Sequence, residues 1–385
     1  MPWTDPRGVG LSITAVWMRI GVIAHLKYPI AEPFAGGLEM HTHLLCRQLR
    51  LNGHDVTLFA ATLSDPKLGL EAICQQTEIA KVGTAEAGDV AFFREHHAYL
   101  SLMSRLRRSS FDIIHNNSLH YLPVSMAETL PMPMVTTLHT PPFCWLESGI
   151  REASAPFARF VGVSEAMREQ WSPVRPIDQV ILNGIDLEHF PWRARHDEPG
   201  HLIWYGRIVP EKGLHLALDA AALAGVALRF AGPILDQAYF DAEIVPRLTR
   251  ETTYLGHLDH ETLAKEIGQA AAFVCTPRWD EPYGLVVAEA LACGTPVAAF
   301  ARGAIPEILT SECGALARPD DVQDLARAIV RAVGLSRSAC RARAEAACDV
   351  RRMITAYEAL YGEMIQAAAA GQMQANDALV DRLIA

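Results

Sequence analysis

Short apolar runs of about four to six residues, each followed by a helical stretch, recur along this chain, and that rhythm restricts it to a parallel α/β architecture. In the first half the runs predict strands at Ile20–Ala24, Val56–Ala60, Phe111–His115, Met134–His139, Phe160–Val163 and Gln179–Leu182. The stretch 65–88 shows no regular pattern and is left unassigned. Between Leu187 and Gly200 the chain turns polar and irregular, with Pro191, Trp192, Arg193, Arg195, Asp197 and Pro199. A second alternation follows, with strands expected at Leu202–Tyr205, Ala227–Ala231, Thr253–Leu255, Ala271–Cys275, Pro296–Phe300 and Gly314–Ala317. Its helices are expected over Leu214–Leu223, His260–Ala270, Leu285–Cys293 and Val322–Val333. With 385 residues, 50% of them hydrophobic, the chain can bury two separate cores. The expected division is an extension at 1–17, a first domain at 18–186, a linker at 187–200 and a second domain at 201–348. A helix at 349–370 then crosses back to the first domain, and 371–385 form a loosely held tail. Met18 opens the first strand and is a candidate natural start. Two open sheets that face each other set their strand C-termini on either side of one cleft, where ligands of such sheets bind.

Composition closes several other routes. No run approaches the roughly 18–20 apolar residues of a membrane span, and the N-terminus lacks a basic region followed by an apolar one. A cytoplasmic protein with at most peripheral membrane contact is expected. The eight cysteines include no C-x-x-C pair, so neither zinc nor a disulfide framework is indicated. A formal charge of −10 argues against nucleic acid as a partner.

The densest signal is Asp280-Glu281-Pro282-Tyr283-Gly284-Leu285-Val286-Val287-Ala288-Glu289, which carries two glutamates across a strand-to-helix junction. Glu281 falls in the loop and Glu289 on an otherwise apolar helix turn, where an unpaired carboxylate would cost several kcal/mol. A ribose diol would satisfy Glu289, while the first N–H groups of the helix, on Gly284, Leu285 and Val286, would hold a diphosphate. Glu281 is left facing the sugar. Taken singly, each glutamate reads equally well as an ordinary loop or surface carboxylate. The pair, with seven residues between its members and in an E-P-[FY]-G context, resembles the retaining glycosyltransferases of family 4. That resemblance implies a GT-B arrangement, two facing Rossmann-like α/β/α domains with a central cleft, and extends over residues 18–365.

Further motifs fall at strand C-termini. After Leu202–Tyr205 comes Gly206-Arg207-Ile208-Val209-Pro210-Glu211-Lys212-Gly213, matching the family's G-R-x-x-x-E-K-G. Arg207 and Lys212 are placed to stabilise the charge that builds on a leaving diphosphate. The plain alternative is a charged turn. No D-x-D metal clamp occurs, so no metal ligand is named and no cofactor is expected beyond the nucleoside-diphosphate sugar as co-substrate. Phe34-Ala35-Gly36-Gly37-Leu38-Glu39 links the first strand to its helix, and Gly36 and Gly37 let the backbone approach a phosphate or sugar. His115 and His139 end strands of the first domain and suit sugar recognition or proton handling. Relatives read D-x-[IV]-H-x-H around His115, where this chain has Asn117 in the last position. The resemblance also assigns donor contacts to Gly206, Tyr283 and the segment Gly256-His257-Leu258, where relatives hold the base. Val163-Ser164, Asn183-Gly184-Ile185-Asp186 and Gly303-Ala304-Ile305-Pro306-Glu307 match elements that support the fold. Trp145, Tyr121 and Phe143 fit acceptor stacking and core filling equally.

The resulting expectation is a retaining, metal-independent glycosyltransferase. It moves a sugar from a UDP- or GDP-linked donor, held by the second domain, to a hydroxyl on a carbohydrate, lipid-linked or small-molecule acceptor selected by the first. The alternatives are a nucleotide-sugar epimerase or sugar phosphorylase on a similar fold, or a nucleotide-sugar-binding protein without turnover.

Overall fold

A computed structural model describes residues 17–74, 85–192, 194 and 200–384, with side chains described except at 85–91 and 372–384. Apart from Trp17, the expected N-terminal extension lies outside the described residues. The first domain holds β1 (Arg19–Ala24), β2 (Asp55–Ala61), β3 (Leu70–Cys74), β4 (Ile113–Asn117), β5 (Met134–Leu138), β6 (Ala158–Gly162) and β7 (Gln179–Val180). The second holds β8 (Leu202–Tyr205), β9 (Leu228–Ala231), β10 (Thr252–Tyr254), β11 (Ala272–Cys275), β12 (Val297–Phe300) and β13 (Gly314–Ala317). The sheet orders are β3-β2-β1-β4-β5-β6-β7 and β10-β9-β8-β11-β12-β13. Every pairing is parallel, with β1 inside the first sheet (Ile20 opposite both Val56 and Ile113) and β8 inside the second. Both are doubly wound Rossmann-like sheets, and both reverse strand order at one point, β1/β4 and β8/β11.

The strands form because they are covered on both faces, as parallel sheets must be. Ile20, Val22 and Ile23 of β1, and Leu202 and Ile203 of β8, expose nothing to solvent. The apolar rhythm located most of these strands to within two residues. It missed β3, a half-buried edge strand. It also set β4 two residues too early, which moves His115 from the end of the strand to its middle.

Two helices follow the second sheet, one packed on the second domain and one crossing back to the first. Helix Arg337–Ala347, absent from the sequence reading, buries Arg337, which donates to the carbonyls of Gly268, Ala270 and Cys293. Helix Val350–Ile384 begins beside Ile185, which bridges to Asp349, and runs back onto the first domain. Val350, Met353, Ile354, Tyr357, Leu360, Tyr361 and Met364, at helical spacing, enter the core beneath β1, β4 and β5. Through the expected tail the helix continues to Ile384, since a single Gly371 costs only about 1 kcal/mol in a run of good helix formers.

Candidate active site

The cleft is built where the two switch points meet. On the second-domain side, helix Leu285–Ala292 starts at Gly284 with no side-chain cap. On the first-domain side, helix Gly37–Leu51 starts at Gly36, also without one. The two helix starts approach closely, and a Cβ added to Gly37 would lie 2.6 Å from Leu285 Cδ1. Two positive helix ends whose cap residues make no side-chain hydrogen bond therefore meet at one gap, an arrangement that favours an anion, and in one of them the Glu39 carboxylate already takes its own backbone N–H.

Cations stand beside that gap. Arg207 is exposed just after β8. Lys212 Nζ lies 2.9 Å from Glu281 Oε2 and 5.1 Å from the centre of the Trp279 ring. Its turn is anchored from below, because Thr276 Oγ1 donates to Lys212 O and in turn accepts from Trp204 Nε1. The Glu281 loop is held by Gly303, whose φ is +54° and where an added Cβ would lie 2.2 Å from Glu281 O, so that a side chain is excluded. Glu281 is thus brought to the cleft, already paired with Lys212.

Glu289 lies one turn deeper, buried and next to the Tyr205 side chain, whose hydroxyl donates to Val286 O at 2.6 Å. Burial pushes its carboxyl up to about 7, and the neighbouring Tyr205 hydroxyl offsets this only in part. Near neutrality Glu289 is therefore only partly ionised. Gly206, Gly232 and Gly256 bring together the turns after β8, β9 and β10: Gly232 N donates to Gly256 O, and Gly206 N donates to Ala231 O. Gly206 thus shares one rim with the segment Gly256-His257-Leu258. Tyr283 differs from expectation. It is 3% exposed within the second core, its hydroxyl toward Cys348, so its side chain packs and does not reach a ligand.

Across the cleft, His25 and Glu39 sit 2.9 Å apart, both nearly buried. Burial pushes the Glu39 carboxyl up, but the hydrogen bond and charge of His25 and the charge of Arg207 together hold it below the usual range. Glu39 therefore senses Arg207 from the opposite domain. The sequence marked Glu39 only as part of a loop motif and gave it no role.

The two strand histidines part company. His139 keeps a place at the rim of the first sheet, where His139 Nε2 lies 3.0 Å from Asn117 Oδ1 and the Asn117 amide donates to Thr42. That network makes Nε2 the protonated nitrogen and leaves Nδ1 as an acceptor. Burial, reinforced by the neighbouring His41, His115 and His25, keeps His139 well below the usual histidine range and hence neutral. Asn117, a departure from the family pattern, thus orients His139. His115 is fully buried instead, its Nδ1 2.5 Å from the Tyr361 hydroxyl and its Nε2 2.9 Å from Thr137 Oγ1. With both nitrogens taken, it fastens the crossing helix, and the catalytic expectation for it does not fit this geometry.

The domains are also latched directly. Ser164 caps helix Glu165–Trp171 and donates across the cleft to Pro282 O at 2.7 Å. Glu307 of the second domain accepts from the backbone N–H groups of Glu165 and Ala166, at 2.9 and 2.8 Å.

Comparison with known proteins agrees with this layout. Residues 35–189 match the model described as Glycosyltransferase Family 4, and residues 187–347 match Glycosyl transferases group 1. The chain is 29% identical to a glycogen synthase of Mycobacterium tuberculosis, over 86% of this chain and 89% of that protein. It is 27% identical to a phosphatidyl-myo-inositol mannosyltransferase of Propionibacterium freudenreichii, over 77% and 81%. Among solved structures, the sucrose-phosphate synthase of Thermosynechococcus elongatus superposes with a TM-score of 0.74 at 20% identity, over 91% of this chain and all of that one. The Anabaena protein HepE in complex with UDP and glucose gives 0.68 at 18%, over 90% and 100%. The chain belongs to glycosyltransferase family 4 and is a sugar-transferring enzyme of the GT-B fold.

Proposed function

We propose that the enzyme transfers a hexose from a nucleoside-diphosphate sugar to an acceptor hydroxyl with retention of anomeric configuration and without a metal ion. The observation that carries this reading is the seat formed by Arg207 and the Glu281-paired Lys212 beside two helix starts that carry no side-chain cap. Such a seat supplies positive potential without a cation cofactor. Glu289 would take the ribose diol, and Gly256, His257 and Leu258 the base. When the bond from the anomeric carbon to the diphosphate oxygen breaks, Arg207 and Lys212 meet the charge left on that oxygen. The acceptor oxygen then bonds to the same face of the anomeric carbon, and its proton passes to the departing phosphate. Glu281 orients Lys212 and faces the sugar, and neutral His139 offers an acceptor nitrogen to a donor-sugar hydroxyl. The relatives named glycogen synthase and phosphatidyl-myo-inositol mannosyltransferase support sugar transfer.

A thermal-shift screen of nucleotide sugars tests the reading, since a ligand that binds only the folded state raises the melting temperature with occupancy. At least one UDP- or GDP-sugar should stabilise the protein and be turned over in EDTA with the product anomer matching the donor. Stabilisation by none of them, or an inverted product, would contradict it.

A further inference from the structure

The first domain carries a constellation that the donor seat does not use. Tyr99, fully buried, donates its hydroxyl to Ala24 O at 2.9 Å, at the C-terminal end of β1. From there a row of rings runs out to solvent. Tyr99 meets His120 at 4.6 Å, His120 stacks on Tyr121 at 4.8 Å, Tyr121 stacks on Trp145 at 6.2 Å and 24°, and Trp145 meets Phe92 at 5.4 Å. Tyr121 and Trp145 follow the C-terminal ends of β4 and β5, the ends at which Asn117 and His139 lie. Trp145 is 55% exposed and Phe92 46%. Exposed large rings that touch one another mark a binding surface more often than scattered apolar residues do.

The chemistry of the edges selects the occupant. Hydrogen-bonding groups border the rings: the Tyr121 hydroxyl lies 3.0 Å from His96 Nδ1, and Glu147 and Arg151 pair at 2.8 Å on the Trp145 helix. Burial, then the nearby His96, takes His120 down to about 4, so it is uncharged near neutrality. Flat apolar faces with polar edges match a pyranose, which offers a C–H face and a girdle of hydroxyls. An anionic lipid surface asks for a cluster of cations on an amphipathic helix. Along the described side chains of helix Ala85–Leu106, Arg94 is followed by Glu95, and Arg105 is paired with Glu71.

We propose that Tyr121, Trp145 and Phe92 form a carbohydrate platform, and that the acceptor is a saccharide whose pyranose ring lies against Trp145. The inference rests on the transfer reading above, and its test keeps the two separable. Three-unit oligomers of glucose, mannose, galactose and N-acetylglucosamine are titrated by calorimetry into protein saturated with nucleoside diphosphate, after the diphosphate alone has been titrated. At least one oligomer should bind, with affinity about tenfold weaker in Trp145→Ala and Tyr121→Ala, largely restored in Trp145→Phe, and unchanged in Phe93→Ala. Phe93 is the control because it is exposed and stacks on His97, apart from the row. The diphosphate should bind all variants alike, and the melting temperature should stay level in the Trp145 variants because Trp145 is exposed. If the diphosphate binds but no oligomer does, or Trp145→Ala binds the oligomer as well as the parent, the platform is refuted while the donor seat stands. If the diphosphate itself fails to bind the parent protein, the transfer reading falls first. Co-sedimentation with phosphatidylcholine–phosphatidylinositol vesicles that is lost in Trp145→Ala, without saccharide binding, would also overturn the proposal, in favour of a membrane surface.

Discussion

Glu289 shows how one buried carboxylate can report on ligand binding. An acid whose folded-state value is raised, here from 4.5 to about 7, is protonated in the native state at pH values where the unfolded chain has already lost the proton. The stabilising contribution is therefore complete below about 4.5 and is lost as pH rises toward 7, by up to about 3 kcal/mol. Glu289→Gln should flatten that decline and leave the free protein more stable at pH 8, as urea unfolding at several pH values would show. A ribose diol donates to the ionised form, so nucleoside diphosphate binding at pH 6.5 should release protons. Calorimetry in buffers of different ionisation enthalpy measures this directly, and buffer-independent heats would argue against a diol on Glu289. The glutamate itself was legible in the sequence, because a charged residue on an apolar helix turn demands a partner. The service of Asn117 to His139 was not, since it depends on a hydrogen bond between strands that are adjacent only in the folded sheet.

At the scale of elements, the paired helix starts and the Glu307 latch set the spacing of the cleft. Glu307 accepts two backbone N–H groups at the start of helix Glu165–Trp171, a favourable place for a carboxylate. Glu307→Ala should leave both domains folded but destabilise their closed arrangement by about 1.5–3 kcal/mol, the range for hydrogen bonds to a charged group. Small-angle scattering should then show a larger radius of gyration in the variant than in the parent, and unchanged dimensions would remove the latch from the account. Elements were readable where burial is purely apolar: β8, β11, β12 and β13 are continuous hydrophobic runs. β4 slipped because Asn116 and Asn117 are polar yet fully buried, satisfied by Thr136 and Thr42, and an apolar rhythm cannot register a polar residue whose partner lies on another element. Glu307 carried a recognisable motif, but its partners stand 141 and 142 residues away in the other domain.

Over the whole molecule, the crossing helix makes the first domain depend on residues that follow the second. His115, Thr137, Tyr357 and Tyr361 form one buried hydrogen-bonded group joining β4 and β5 to that helix. Tyr361→Phe should cost about 1 kcal/mol or more in stability by leaving His115 Nδ1 without its partner, with the KM for donor unchanged. A change in donor KM without loss of stability would return His115 to the active site. None of the helices among the described residues is long and apolar enough to cross a membrane.

In the proposed mechanism, the fixed charges of Arg207 and Lys212 take the place of a metal at the leaving diphosphate. That role is tested most directly by the steady-state kcat for sugar transfer, measured in excess EDTA for the parent enzyme, Arg207→Ala and Lys212→Ala. The expected result is full parent activity in EDTA and a loss of about 10²-fold or more in kcat for each variant, with folding intact by circular dichroism. Parent activity abolished by EDTA and rescued by magnesium or manganese, or near-parent kcat in both variants, would contradict it.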